Sequence, residues 1–229
     1  MAAAIAPITS AAPRVSTDLA AAVVGIVSDG QVIAGGITLA SGPWGTDYIT
    51  VSHALGVGRK YAIIHGNGVP APAKPVIACS SAAHGMDILV LRVTSHKDLP
   101  VIEWGDPATL KPGDELIAMV RKEFYPEPVK MKFLHVNLLE WSRTAAGLWS
   151  QAWHNVMVGQ GVTEPGFSGS PWIRNGRVYG LLKGRVRLQG QSAWYATAET
   201  ATRVKQCLKD RYYDQLIPKD LDEDLVPEK

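Results

Sequence analysis

Cysteine is nearly absent. Cys79 and Cys207 are the two in 229 residues, and they form no Cys-x-x-Cys pair. A disulfide scaffold uses more cysteines and a zinc or dithiol site needs closer spacing, so both are expected to be ordinary buried thiols. Charge of one sign is also missing. Lys and Arg number 23 against 21 Asp and Glu, a formal net charge of +2. Neither nucleic acid nor an anionic membrane is therefore expected as the main partner. The longest apolar run, Leu19 to Val27, is too short to span a bilayer. The N-terminus lacks a basic segment followed by an apolar one, so no signal peptide is expected. There is no Walker loop and no His/Cys metal spacing, and Gly56-Val57-Gly58 lacks the third glycine of a dinucleotide fingerprint. Neither metal nor cofactor is expected.

What the sequence does have is turns. Its 22 Gly and 15 Pro follow no fixed period and fit a β-rich chain rather than a helical bundle. Ala22 to Val27 and Val32 to Leu39 flank Asp29-Gly30, a strong hairpin signal. Further strands are expected over Tyr48–His53, Lys60–His65, Val76–Cys79 and Asp87–Val93. Turn chemistry at Gly105-Asp106-Pro107 and Lys111-Pro112-Gly113-Asp114 separates this unit from a second of similar length. The second unit has strands expected over Glu115–Val120, Val129–Glu140, Leu148–Val156, Pro171–Arg174, Val178–Leu182 and Ser192–Ala198. Apolar positions from Thr200 to Tyr212 then recur with helical spacing.

Three segments carry chemistry: Ile49-Thr-Val-Ser-His-Ala-Leu55, Gly85-Met-Asp-Ile-Leu-Val-Leu91 and Thr163-Glu-Pro-Gly-Phe-Ser-Gly-Ser-Pro171. In chain order they present His53, Asp87 and Ser168. A serine hydroxyl is a poor nucleophile at neutral pH and needs a base to take its proton during attack. Imidazole suits that task, and a carboxylate on its far nitrogen fixes the tautomer and stabilises the imidazolium. A glycine just before the serine lets two N–H groups, those of Gly166 and Ser168, converge on a developing oxyanion. Position 170 is Ser, so the Gly-x-Ser-x-Gly elbow of α/β-hydrolases is not met. The other five histidines, at 65, 84, 96, 135 and 154, lack such contexts and read as structural.

These segments resemble the three signature stretches of trypsin-like (chymotrypsin-fold) serine peptidases, over roughly residues 20 to 213. The resemblance implies an all-β fold of two six-stranded antiparallel barrels with a C-terminal helix. With the Ala-, Ser-, Thr- and Pro-rich start and the charged end, the chain is expected to divide into a flexible arm (1–18), a first barrel (19–104), a linker (105–113), a second barrel (114–198), a helix (199–213) and a charged tail (214–229). The resemblance also implies a serine endopeptidase acting on polypeptides, with His53 as base, Asp87 as its orienter and Ser168 as nucleophile; it says nothing of oligomeric state. The alternatives are a catalytically silent binding module and an esterase on the same fold. Leu99 to Ala118 resembles the inter-barrel stretch of HtrA-like bacterial peptidases, although this sequence leaves no room for a PDZ domain after residue 213. The stretch from Thr163 to Gly169 resembles sobemovirus-like viral polyprotein-processing proteases, although Gly180-Leu-Leu-Lys-Gly184 lacks the histidine common there.

The family comparison also bears on activation and specificity. Phe167 stands where digestive trypsins carry an aspartate that pairs with a freshly cut N-terminus, so activation by that route is not expected. Val162, six residues before Ser168, replaces the aspartate that holds Arg or Lys in trypsin-type pockets. Cleavage after a basic residue is disfavoured, because a buried cation would be left unpaired. Val162, Thr163 and Trp194 are expected to line the pocket. Thr163, Lys183 and Arg185 would suit Gln or Glu. If both cations instead face away, Leu182 and Trp194 leave an apolar pocket, which is favoured.

Overall fold

The computed structural model describes residues 17–54, 59–66, 68–81, 86–121, 125–143, 149–188 and 190–211. Side chains at 17–18, 80–81, 138–143, 149–155 and 210–211 are not described. A short helix, α1 (Thr17–Ala22), precedes six strands: β1 (Val23–Ser28), β2 (Gln31–Gly42), β3 (Gly45–Thr50), β4 (Tyr61–His65), β5 (Ala71–Ser81) and β6 (Met86–Val93). Six more follow: β7 (Glu115–Arg121), β8 (Pro126–Arg143), β9 (Trp149–Gln160), β10 (Pro171–Arg174), β11 (Arg177–Arg187) and β12 (Trp194–Thr200). Helix α2 (Ala201–Arg211) ends the described chain. The first six strands close into a barrel in the order β1-β2-β3-β6-β5-β4, the second six in the order β10-β11-β12-β9-β8-β7. The chain thus has the two antiparallel six-stranded barrels and C-terminal helix of the chymotrypsin-like fold.

Local chemistry explains most of this. Asp29 and Gly30 take positive φ in the β1–β2 turn, and Asn175 and Gly176 do so between β10 and β11. Such turns match the right-handed twist of the strands they join. One apolar set, including Val24, Ile26, Tyr48, Ile63 and Leu91, fills the first barrel. Another, including Met131, Phe133, Trp172 and Leu182, fills the second. A third runs between the barrels and under α2, from Leu19 and Ala22 through Ile49, Val90, Met119 and Leu181 to Val204. Fully burying side chains of this size contributes about 1.5–3 kcal/mol each. The third set makes the interface between the barrels an extension of the core.

Several expectations need correction. The strand expected from Ala22 begins at Val23, because α1 takes Ala22 and puts Leu19 and Ala22 on one helical face against the core. His53 is not a strand residue; β3 stops at Thr50 and Ser52–Ala54 form a single 3-10 turn. The Pro-containing stretch before Val76 is part of β5, with Pro72 opposite Ala62 and Pro75 opposite Leu91, where the ladder shifts register. The expected flexible arm is described only at its last two residues, which belong to α1, and the expected tail at 214–229 lies outside the described residues.

The largest correction concerns cysteine. Cys79 on β5 and Cys207 on α2 form a disulfide across 128 residues of sequence. Both are buried in the inter-barrel core, so the expectation of buried residues holds and that of free thiols does not. Closing so long a loop restricts the unfolded chain strongly, a contribution of about 2–5 kcal/mol in comparable cases. Replacing both cysteines by alanine should lower the unfolding free energy by that amount in a denaturant titration. Added reductant should then destabilise the wild-type chain but not the double variant.

Candidate active site

Asp87 is the second residue of β6 and is 6% exposed. It is reached from the turn after β3, which presents three donors. Ser52 Oγ donates to Asp87 Oδ1 at 2.7 Å and the His53 backbone N–H donates to the same oxygen at 2.8 Å. His53 Nδ1 is hydrogen-bonded to Asp87 Oδ2. The other ring nitrogen, Nε2, lies 3.0 Å from Ser168 Oγ. Asp87, His53 and Ser168 therefore form one continuous hydrogen-bonded chain. It runs from the buried edge of the first barrel to the open cleft, where the His53 side chain is 46% exposed.

Burial alone would push the Asp87 carboxyl up. The hydrogen bonds from His53 and Ser52, with the charge of His53, more than offset this and hold it at about 2.

Ser168 is held from both barrels. Its carbonyl accepts from Gly35 N of β2 at 2.7 Å, and Thr50 Oγ1 donates to Gly35 O at 2.7 Å. On the other side Gly169 N donates to Leu182 O at 2.7 Å and Leu182 N to Ser170 O at 2.8 Å. Gly169 has φ +82°, and a Cβ there would stand 2.2 Å from Gly35 O and 2.3 Å from Thr50 Oγ1. No other residue fits that junction without moving a barrel.

The loop before Ser168 is shaped by Gly166, with φ +91°, and by Phe167, which is 2% exposed and packed in the second barrel's core. Among the described residues neither the Gly166 N–H nor the Ser168 N–H donates to another group of the chain.

Beside Ser168 lies a cavity of about 200 Å³. Its walls are the loop segment Thr163–Pro165 and the β11 segment Leu182–Arg185, with His53 and Ser168 at one end. Of the three residues expected to line it, Thr163 does. Val162, 61% exposed, and Trp194, 48% exposed, are not part of its wall. Lys183 and Arg185 both are. A register shift between Leu182 and Gly184 in the β11–β12 ladder accompanies this placement.

Sequence reasoning missed Ser52 and Glu199. Glu199 on β12 is fully buried between Lys183 at 3.3 Å and Arg203 of α2 at 3.1 Å. Burial raises its carboxyl pKa; the two cations oppose that rise and the nearby Asp87 adds to it. The signal was a lone acid in the apolar strand Tyr195-Ala-Thr-Ala-Glu-Thr200. Elsewhere His65 contacts Ala21 O, His96 the Tyr48 hydroxyl and His135 Asn137 O. His84 and the side chain of His154 lie outside the described residues.

Residues 11–181 match the family model of the trypsin-like peptidase domain. The chain is a member of that family. Solved structures similar to this trypsin-like peptidase domain agree in fold. The Rv3671c protease from M. tuberculosis in its active form has a TM-score of 0.65 at 19% identity, with 84% of this chain and 81% of that chain covered. The MamO protease domain from Magnetospirillum magneticum in its apo form has a TM-score of 0.65 at 14% identity, covering 83% and 97%. Deg5 has a TM-score of 0.62 at 13% identity, covering 82% and 88%. No curated protein matches the chain in sequence.

The depressed carboxyl has a consequence for the stability of this peptidase domain. Asp87 titrates at about 2 when folded and near 3.8 otherwise, so its ionised form favours the folded state. That contribution, roughly 2 kcal/mol, is complete above pH ~4 and is lost as pH falls through about 2. Unfolding free energies measured across this window should fall more steeply for the wild type than for Asp87→Asn.

Proposed function

We propose that the chain is a serine endopeptidase that works through an acyl-enzyme. The observation that carries this reading is the unbroken hydrogen-bond chain from Asp87 through His53 to Ser168. Ser168 Oγ attacks the carbonyl carbon of the scissile peptide while His53 Nε2 takes the hydroxyl proton. Asp87 keeps Nδ1 protonated, so that Nε2 faces Ser168 as the acceptor. The Gly166 and Ser168 N–H groups receive the oxyanion, supported by having no competing acceptor within the described chain. His53 then returns the proton to the departing amine. Water repeats the sequence on the ester, releasing the acid and restoring Ser168.

The substrate main chain has a place to lie. Residues 183–187 of β11 pair with β12 alone among the described residues, because pairing with β10 ends at Leu181. This leaves a strand edge beside Ser168 where an extended polypeptide adds as a further strand. A silent binding module would use that edge but has no need of the Ser168, His53 and Asp87 chain. The Cys79–Cys207 bridge suits an oxidising compartment. The apolar packing of Phe167 supports a loop that is ordered without an ion pair to a new N-terminus.

A fluorophosphonate should label Ser168 in the wild type and not in Ser168→Ala. That variant should lose nearly all peptidase turnover and keep its fold. Asp87→Asn should lower kcat roughly 10⁴-fold, the scale expected when the wrong tautomer is held. Wild-type turnover in Ser168→Ala would end this reading.

A further inference from the structure

The last five residues of β11 carry three cations, Lys183 and Arg185 in the cavity wall and Arg187 beyond it, and they are not equivalent. Lys183 is paired with the fully buried Glu199, which Arg203 also contacts. Arg185 and Arg187 are exposed, and each lies over the same ring: their guanidinium carbons stand 4.7 and 4.8 Å from the Trp194 ring centroid. Neither has a carboxylate partner among the described residues. Two like charges held on one indole repel each other, while the ring face attracts each of them. An anion placed between or beside them relieves that repulsion and gains charge-assisted hydrogen bonds from planar donors suited to a carboxylate.

Position makes this a feature of substrate recognition. Arg185 is in the wall of the cavity that ends at Ser168 and His53. Arg187 is two residues further along the same strand, away from Leu182 and the nucleophile, so the two side chains share one face of it. A peptide lying antiparallel on this edge has the same two-residue spacing. Its residue before the scissile bond meets Arg185, and the residue two earlier meets Arg187. Among the residues lining the cavity, Glu164 supplies one carboxylate, on the loop wall rather than on β11.

We propose that the Arg185–Trp194–Arg187 stack reads carboxylate side chains of the substrate, so that the cleft takes acidic polypeptide segments on the N-terminal side of the scissile bond. This specificity rests on the peptidase reading for its consequence, but the recognition itself is separable from catalysis. It replaces the apolar pocket expected from the sequence, since Trp194 lies outside the cavity wall and both cations within reach of Ser168 are part of it.

The test is binding to the Ser168→Ala chain, which holds a peptide without cutting it. The probes are fluorescein-labelled Ala-Ala-Glu-Ala-Glu-Ala-Ala-Ala and the same peptide with Gln for Glu, followed by anisotropy. The Glu peptide should bind about tenfold tighter, and added salt should narrow the gap. Arg185→Ala on the same background should reduce the Glu peptide to the level of the Gln peptide; Arg187→Ala should remove part of the difference. No binding of the Glu peptide, equal affinity for both peptides, or a preference that survives Arg185→Ala would each overturn the proposal. Fluorophosphonate labelling of the wild type separates the two readings. Labelling without a Glu preference sinks the specificity and leaves the peptidase; a Glu preference without labelling does the reverse.

Discussion

The contact on which the site depends is the backbone junction between Gly35 and the Ser168–Gly169 segment. A single N–H···O bond of 2.7 Å joins the barrels there, at the point where one supplies His53 and Asp87 and the other Ser168. The bond is that short because no side chain intervenes on Gly169. Thr50 seals the same junction from the last residue of β3, just before the turn that carries His53. The 3.0 Å separation of His53 and Ser168 is thus fixed by main chain on both sides rather than by the reach of long side chains. Preorganisation of this kind is what acyl transfer demands, because misplacing the reacting atoms by about an ångström costs orders of magnitude in rate.

A second layer of constraint lies beneath the first. Glu199, without access to water, joins β11 to α2 through Lys183 and Arg203. The Cys79–Cys207 bridge joins the same helix to β5, one residue from the Ser80–Asp87 pair of the β5–β6 ladder. One helix is therefore tied by an ion-pair cluster to the wall of the cleft and by a covalent bond to the strand that flanks Asp87. Desolvating a carboxylate so fully is costly unless the cations stay in place. The cluster therefore holds Lys183 against the strand and leaves Arg185 as the cation of the cavity wall without a fixed counter-charge.

Much of this was legible in the residues. The turn dipeptide Asp29-Gly30 marked a hairpin because few other pairs accept positive φ. The His, Asp and Ser segments were legible because each joined a reactive group to a local pattern of strand or glycine-bearing turn. What was hidden depended on distance along the chain. The disulfide joins residues whose spacing matches no short motif. The role of Ser52 is visible only once the turn aims it at Asp87. Whether Lys183 and Arg185 faced the cavity turned on a register shift that alternation alone does not encode. The proline-bearing part of β5 was misread because proline weakens a strand signal even where the ladder tolerates it.

The disulfide has a further meaning for how the chain responds to a break in its backbone. Its loop encloses Asp87, Ser168 and the whole second barrel, while His53 lies outside it. A single break anywhere between Cys79 and Cys207 yields two pieces that remain one covalent molecule. Each nicked chain keeps base and nucleophile tethered at high local concentration. A first cut inside the loop is thus a change of connectivity rather than a loss of parts, and such damage shows only when the bridge is reduced.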